Sequence, residues 1–482
     1  MKRSGLTYLS VVINTSIVIT VKALPRQNLY RLNVVVATIL VSLLSFSVRG
    51  QISNQTILQE NLQAQADTLT ITLEEAESLL LQHNLLLVAQ KLNIDQARAL
   101  VIQSRLWDNP TLYAETNPYN NNSQVSGGQR FFHYVNASNK TDANGNYNYN
   151  GNEIIAAIDQ VFKTAGKRSN LVKLNNINAN IAEFVYYDLM RSLKFTLRSD
   201  YYTMLQYQQG IALLQQELNS LNGLINSVSI QVSKGTMAFK DQLRLQALAF
   251  DVENNIRDFI YQSTTAESEL KTIIGLQANV KVIPVRDTTK LQPVTLSPLD
   301  TLATLSLENR YDLKAGNLQI LAAKTNLSLQ RSLAYPDLDV TANYTRYSNY
   351  IPNYFGLGLR VPIPAWNRNQ GNIKIAKYNI TTQQVTYENQ VKGALNDLSA
   401  SYTQFIKYQS VYVNFNKNFT EDYDTFLKNV TKNYERHTIG LLEFIDFFES
   451  YRDTKIAAYN LEQDFLEAKE QLNFSVGKDV IK

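Results

Sequence analysis

The sequence predicts a membrane β-barrel joined to an all-α body, with each chain built as an internal two-fold repeat. Three observations lead there: ungapped similarity between the two halves, helices far longer than a globular core needs, and short strand pairs that alternate apolar with polar residues.

The chain opens on an expected leader, residues 1–50. In "RLNVVVATILVSLLSFSVRGQ" Arg31 precedes an apolar run that ends in small residues and is too short to span a bilayer comfortably. It reads as a cleaved signal peptide, cut near Gly50. An earlier apolar stretch, "YLSVVINTSIVITV", makes residues 1–30 read as the product of a misplaced start site. The leader also explains the formal charge of +4. It holds six basic residues and no acid; removing those six from 46 Lys and Arg leaves 40 against 42 Asp and Glu. The mature chain is therefore not basic, and no nucleic-acid partner is expected. Hydrophobic residues make up 44% of the 482, and cysteine is absent, which excludes disulfides, thiolate metal sites and a lipid-modified cysteine.

Residues 51–70 read as a linker, and the duplication starts after them. Pro110 aligns with Pro336 at an offset of 226, as do Leu87 with Leu313, Ala89 with Ala315, Ile94 with Ile320 and Arg105 with Arg331. A second block, from Val228 against Val430, holds at an offset of 202 to Gly275 and Gly477. The first repeat thus carries a net extra 24 residues, placed in the Asn- and Gly-rich stretch 117–152, which reads as an exposed loop.

Repeat one is expected over 71–275. It holds a first helix at 72–106, a strand pair at 111–117 and 153–162, a long helix at 167–234 and a last helix at 239–274. At 1.5 Å per residue the long helix reaches on the order of 100 Å. A linker, 276–295, leads to repeat two, 296–477, with strands at 337–347 and 353–363 and a tail at 478–482. In "DLDVTANYTRY" Leu338, Val340, Ala342 and Tyr344 share one face, and Asp339, Thr341, Asn343 and Thr345 the other. "NYFGLGLRVPI" sets Phe355, Leu357, Leu359, Val361 and Ile363 against Tyr354, Gly356, Gly358 and Arg360. A tilted membrane strand needs roughly 9–11 residues, and these runs have that length. The same alternation also fits a soluble hairpin with one dry face, and the helices also fit a solvated coiled-coil rod. Two features favour the barrel. Isolated strands would leave bare edges unless several chains close them into a barrel. Both tryptophans, Trp107 and Trp366, flank a strand at the same end of the hairpin, and tryptophan favours the membrane–water interface.

The segment "VPIPAWNRNQGNI" then reads as a strand–helix joint. Pro362 and Pro364 end the strand, Trp366 marks the interface, and Gly371 gives the backbone freedom to enter the helix; "KTAGKRSN", with Gly166, is the counterpart in repeat one.

These motifs, with "TLEEAESLLLQHN", "RLWDNPTL" and "RSLAYPDL", resemble the TolC family of outer-membrane efflux proteins over essentially residues 69–477. "VPIPAWNRNQGNI" is similar to the heavy-metal branch of that family, the CusC/CzcC type. The resemblance implies a homotrimer in the outer membrane of a Gram-negative bacterium. Each chain would give four strands to a 12-stranded barrel and its helices to a periplasmic tunnel. It implies a passive exit duct for metal ions or drugs, driven by an inner-membrane RND-type pump through a periplasmic adaptor, with no catalysis and no cofactor. Type I protein secretion, or a non-transport structural rod, are the alternatives. The family's tunnel-entrance acids map to Asp241, Glu443 and Asp446, and its helix-tip contacts with adaptor or pump to Gly235, Thr236, His437 and Thr438. His437 departs from the pattern, which has glycine there.

Catalytic and metal-binding motifs are missing from the sequence. His83, His133 and His437 have no ligand spacing, and Met190, Met204 and Met237 form no ladder for a soft metal. The sequon at Asn326 falls inside a predicted helix.

Overall fold

A computed structural model describes residues 68–116, 119–120, 130–131, 154–346, 353–415 and 417–481. The expected leader, His133, nearly all of the 117–152 insert and the "SNYIPN" turn up to Pro352 lie outside the described residues, as does the linker before Thr68.

The first described element is β1 (Thr68–Ile71), which runs parallel to β6 (Lys281–Pro284). Tyr201 fastens this pair: its hydroxyl lies 3.0 Å from the Ile71 carbonyl and 2.7 Å from that of Val285. Thr72 then starts α1 (Leu73–His83) through a capping box with Glu75, which satisfies two donors that a helix start would leave free.

The helix expected over 72–106 is two helices, α1 and α2 (Leu85–Arg105), broken at Asn84. The Asn84 Oδ1 accepts from the Leu87 amide at 2.9 Å and caps α2, while its Nδ2 donates to the Ile273 carbonyl at 2.7 Å. The second half repeats the break: α5 (Leu299–Asn309) gives way to α6 (Tyr311–Ser332) at Arg310. Each break receives the end of the last helix of its own half. Gly275, at φ +71°, ends α4 (Phe239–Ile274), and a Cβ on it would sit 2.8 Å from the His83 carbonyl. Gly477, at φ +78°, ends α9 (Leu441–Val476), and a Cβ there would meet Arg310 at 3.0 Å. Glycine is required at both on two counts, the left-handed backbone and the close approach.

The longest helix is α3 (Lys167–Ser233), on the order of 100 Å. Its counterpart is interrupted. α7 (Gln370–Asn414) ends at Phe415, whose extended backbone stops the ladder, and α8 (Lys417–Glu435) follows. Where α3 and α4 pack, Gly210 lets the Phe259 ring lie against the α3 backbone; a Cβ would clash at 2.4 Å. The apolar stripes of these helices close two separate cores. One surrounds Leu80, Tyr201, Phe405, Phe465 and Leu472; the other surrounds Leu214, Leu245, Phe444 and Phe448.

Four strands form one antiparallel sheet in the order β2 (Thr111–Thr116), β5 (Ile154–Phe162), β7 (Leu338–Arg346), β8 (Asn353–Arg360). Two short strands, β3 (Tyr119–Asn120) and β4 (Arg130–Phe131), pair separately. The central β5–β7 pair joins the two halves of the chain over nine residue pairs, from Ile154 with Arg346 to Phe162 with Leu338.

Candidate functional site

The sheet register sorts side chains onto two chemically opposite faces. Leu112 lies opposite Ile158, Ile158 opposite Ala342, and Ala342 opposite Leu357. The neighbouring rows on that face hold Tyr344 with Phe355 and Val340 with Leu359. These residues are open to the surroundings: Leu357 is 89% exposed, Phe355 79% and Leu112 76%. The other face carries Asp159, Thr341, Asn343 and Arg360. Thr341 donates to Asp159, and Arg360 pairs with Asp339 at 3.4 Å. Pleating alone produces the segregation, because adjacent residues point to opposite sides. The two outer strands, β2 and β8, each have a hydrogen-bonded neighbour on one side only among the described strands.

Below the sheet, the first joint turns on two left-handed residues, Ala165 (φ 53°) and Gly166 (φ 72°). Asp337 holds it, accepting from the Thr164 amide at 2.9 Å and from the buried Lys167 ammonium at 2.7 Å. The second joint differs from the sequence expectation. Asn369 (φ 57°) is the left-handed residue, and Gly371 already lies in the first turn of α7 without a positive φ. Asn369 is suited to this conformation because its side chain bonds locally, accepting from Asn372 at 2.6 Å, and it also donates across to the Gln330 carbonyl of α6 at 2.8 Å. Pro362 and Pro364 follow the end of β8. Trp107 is 60% and Trp366 91% exposed.

The helix tips repeat one motif. After α3 the Gly235 amide donates to Val232 and the Thr236 amide to Gln231, each at 3.0 Å. After α8 the His437 amide donates to Tyr434 at 3.0 Å and the Thr438 amide to Asn433 at 2.9 Å. Both are Schellman endings, with the left-handed place filled by Gly235 (φ 72°) and His437 (φ 59°). Histidine tolerates this region better than a branched residue. His437→Gly is therefore expected to raise stability by ~1 kcal/mol, and His437→Val to lower it by at least as much. Thermal unfolding of the two variants checks the opposite signs.

The acids sit just beyond these tips. Asp241 is in the first turn of α4 and Glu443 in the first turn of α9, where each complements the helix dipole. Asp446 follows one turn on and is exposed, as is Glu443. Asp241 lies near the buried Tyr434, whose hydroxyl is pushed up to about 12, first by burial and then by the Asp241 charge. Among the described residues no group of three or more His, Asp or Glu could hold a metal ion, and no helix is long and apolar enough to cross a membrane.

The fold is similar to that of CusC, in a crystal structure described by transmembrane channel formation, with a TM-score of 0.68 over 88% of this chain and 96% of that one at 15% identity. The chain belongs to the outer membrane efflux protein family, whose model matches residues 76–276 and 302–478, and its place is the outer membrane. It is also similar to toxin and drug export protein A of Aggregatibacter actinomycetemcomitans, at 21% identity over 58% of this chain and 62% of that protein. Cobalt-zinc-cadmium resistance protein CzcC of Cupriavidus metallidurans matches at 20% identity, over 63% of this chain and 65% of its own length. The chain thus spans about three fifths of the length of the curated relatives it matches. The TolC-family resemblance read from the sequence is met, and relatives of the metal-export branch stand among the matches.

Proposed function

We propose that three copies of the chain close a twelve-stranded barrel in the outer membrane, continued on the periplasmic side by a tunnel of helices, and that the assembly is a passive export channel. The observation that carries this reading is the sheet. One face is apolar and open from Leu112 to Leu359, and among the described strands its outer strands have a neighbour on one side only. In water such a surface would drive aggregation; in lipid it is the required exterior, and closure removes the edges. Strand directions alternate across the sheet, so β8 of one copy meets β2 of the next antiparallel, as an all-antiparallel barrel demands.

The cysteine-free chain makes the test clean. Paired cysteines, one at Tyr113 or Ala114 and one at Gly356, Leu357 or Gly358, should give disulfide-linked dimers and trimers in outer membranes for one register and not for the others. Uniformly absent links, with the protein washed off membranes by salt, would point to a soluble rod.

In this reading an inner-membrane pump of the RND type supplies the energy through a periplasmic adaptor. The tips at Gly235, Thr236, His437 and Thr438 are the contact surface. Cargo is metal ions or drugs, in line with the names of CzcC and of the toxin and drug export protein. The latter name also favours a second reading, the outer-membrane step of protein secretion. The repeats 71–275 and 296–477 are the two halves that each supply a strand pair and a helical wall.

Asp241, Glu443 and Asp446 are proposed to line the tunnel mouth, where three-fold assembly places each as a ring. Rings of carboxylates favour cations. Replacing Asp241 and Asp446 by alanine should reduce cation preference and block by trivalent cations in single-channel recordings. Conductance, selectivity and block all equal to the parent channel would leave these acids as helix-dipole partners only.

A further inference from the structure

Beside the first joint lies a cleft of about 520 Å³ between the ends of α2, α3 and α6. Three cations meet there. Lys163 pairs with Asp108 at 2.8 Å and Lys167 with Asp337 at 2.7 Å. Among the described residues Arg168 has no carboxylate partner, and its buried Nη1 has no hydrogen-bond partner. Its guanidinium carbon lies over the Trp107 ring, 4.3 Å from the centroid. Lys167 and Arg168 are also the first two residues of α3, where the helix dipole disfavours positive charge. An anion at Arg168 would relieve the unpaired guanidinium and the dipole conflict together.

Leu106, Leu171, Leu329 and Leu333 give the wall its apolar part, beside the polar Gln103, Ser104 and Asn175. This wall is continuous with the exposed sheet face: Trp107 packs edge-on against Phe162 at 6.1 Å, and Phe162 pairs with Leu338 at the helix end of the sheet. A group anchored at Arg168 therefore sits at the rim of the apolar band with an oily path leading onto it. The second joint has no such arrangement. Trp366 is 91% exposed, and Arg368 turns its Nε to the Pro364 carbonyl at 3.1 Å.

We propose that this cleft binds the phosphate group of an anionic phospholipid from the inner leaflet, one per chain, with Arg168 as the phosphate ligand and Trp107 and Leu106 against the upper acyl chain. Planar guanidinium suits a phosphate oxygen pair, and an interfacial tryptophan suits the level just below the headgroup. The site rests on the barrel reading above.

The test uses two single-tryptophan forms of the full chain, Trp366→Phe and Trp107→Phe, purified in detergent and titrated with phosphatidylglycerol brominated in its acyl chains. Trp107 should be quenched at lipid levels about tenfold lower than after Arg168→Gln, the loss expected of one charge-assisted hydrogen bond. Lys163→Gln should give a smaller change, and millimolar inorganic phosphate should not displace the lipid. Quenching of Trp107 unchanged by Arg168→Gln overturns the site. Displacement by inorganic phosphate assigns the cleft to a free anion and overturns the lipid. In reconstituted bilayers, Trp366 quenched normally while Trp107 ignores Arg168 sinks only this site; neither tryptophan quenched, with no cross-linked trimer, sinks the barrel reading itself.

Discussion

Arg198→Met is expected to destabilise the protein by about 3–5 kcal/mol, the cost of stranding a buried charge by removing its partner. Arg198 lies on α3 with its side chain 14% exposed. Its Nε reaches Glu77 of α1 at 2.6 Å, and its Nη1 reaches Glu470 of α9 at 2.5 Å and Asp479 in the tail at 3.1 Å. The surrounding carboxylates hold its proton more firmly than in water, against the cost of burial. Without it Glu77 keeps Lys194 at 3.2 Å and Asp479 can turn to solvent, being 54% exposed. Glu470 has neither escape: its side chain is 8% exposed, and its ion partner is gone. The loss should therefore trace to one carboxylate. The double variant Arg198→Met with Glu470→Met is expected to recover more than half of it, since a buried pair replaced on both sides by apolar groups is often neutral. Thermal unfolding of parent, single and double variants in detergent decides. A single variant within ~1 kcal/mol of the parent, or a double variant no better than the single, overturns the account.

That network was invisible in the sequence. Glu77, Glu470 and Asp479 stand 121, 272 and 281 positions from Arg198, and no periodicity links them. Local features were more legible. The sequence placed the long helix at 167–234, and α3 is Lys167–Ser233, because a run free of proline with regular apolar spacing leaves no other local solution. The glycines aligned at an offset of 202 take matching places, Gly275 on His83 and Gly477 on Arg310. The break at Asn84 was missed since "LLLQHNLLL" keeps its apolar spacing through the cap; the signal was the asparagine itself, a good N-cap ahead of Leu85. Gly371 was expected at the joint on the general permissiveness of glycine, whereas Asn369 takes the left-handed place with a side chain that accepts from Asn372 and reaches Gln330. The β5–β7 pairing, which joins the halves, is a tertiary choice that neither strand announces alone. In the first half Ala156, Ile158 and Phe162 share the apolar face of the sheet with a polar Gln160, so alternation there is blurred. That residue is spoken for at the joint, where its amide donates to the Asp108 carbonyl at 2.9 Å.

Glu217→Gln is expected to stabilise the protein increasingly as pH rises, with the gain reaching at most ~5 kcal/mol near pH 8. Glu217 lies on α3 between Leu214 and Leu221 of the second core, only 3% exposed, and among the described residues neither carboxyl oxygen has a hydrogen-bond partner. The cation that acts on it, Arg452 of α9, is engaged elsewhere, with Asp251 at 2.8 Å and Asp453 at 3.1 Å. Burial therefore dominates and pushes Glu217 up from 4.5 to about 8, with Arg452 opposing and Asp453 assisting. Below about pH 4.5 folded and unfolded chains both hold the proton, and the group contributes nothing to the pH dependence. Between 4.5 and 8 the unfolded chain releases it and the folded chain does not, so stability falls by about 1.4 kcal/mol per pH unit. Above 8 both have released it and the slope ends. Glutamine has the same shape and does not titrate, so parent and variant should be closest near pH 5 and furthest apart near pH 8. Melting temperatures of the two at both pH values measure the gap directly. A gap that is constant with pH, or that closes as pH rises, means that Glu217 is ionised in the folded protein and that Arg452 has left Asp251 to pair with it.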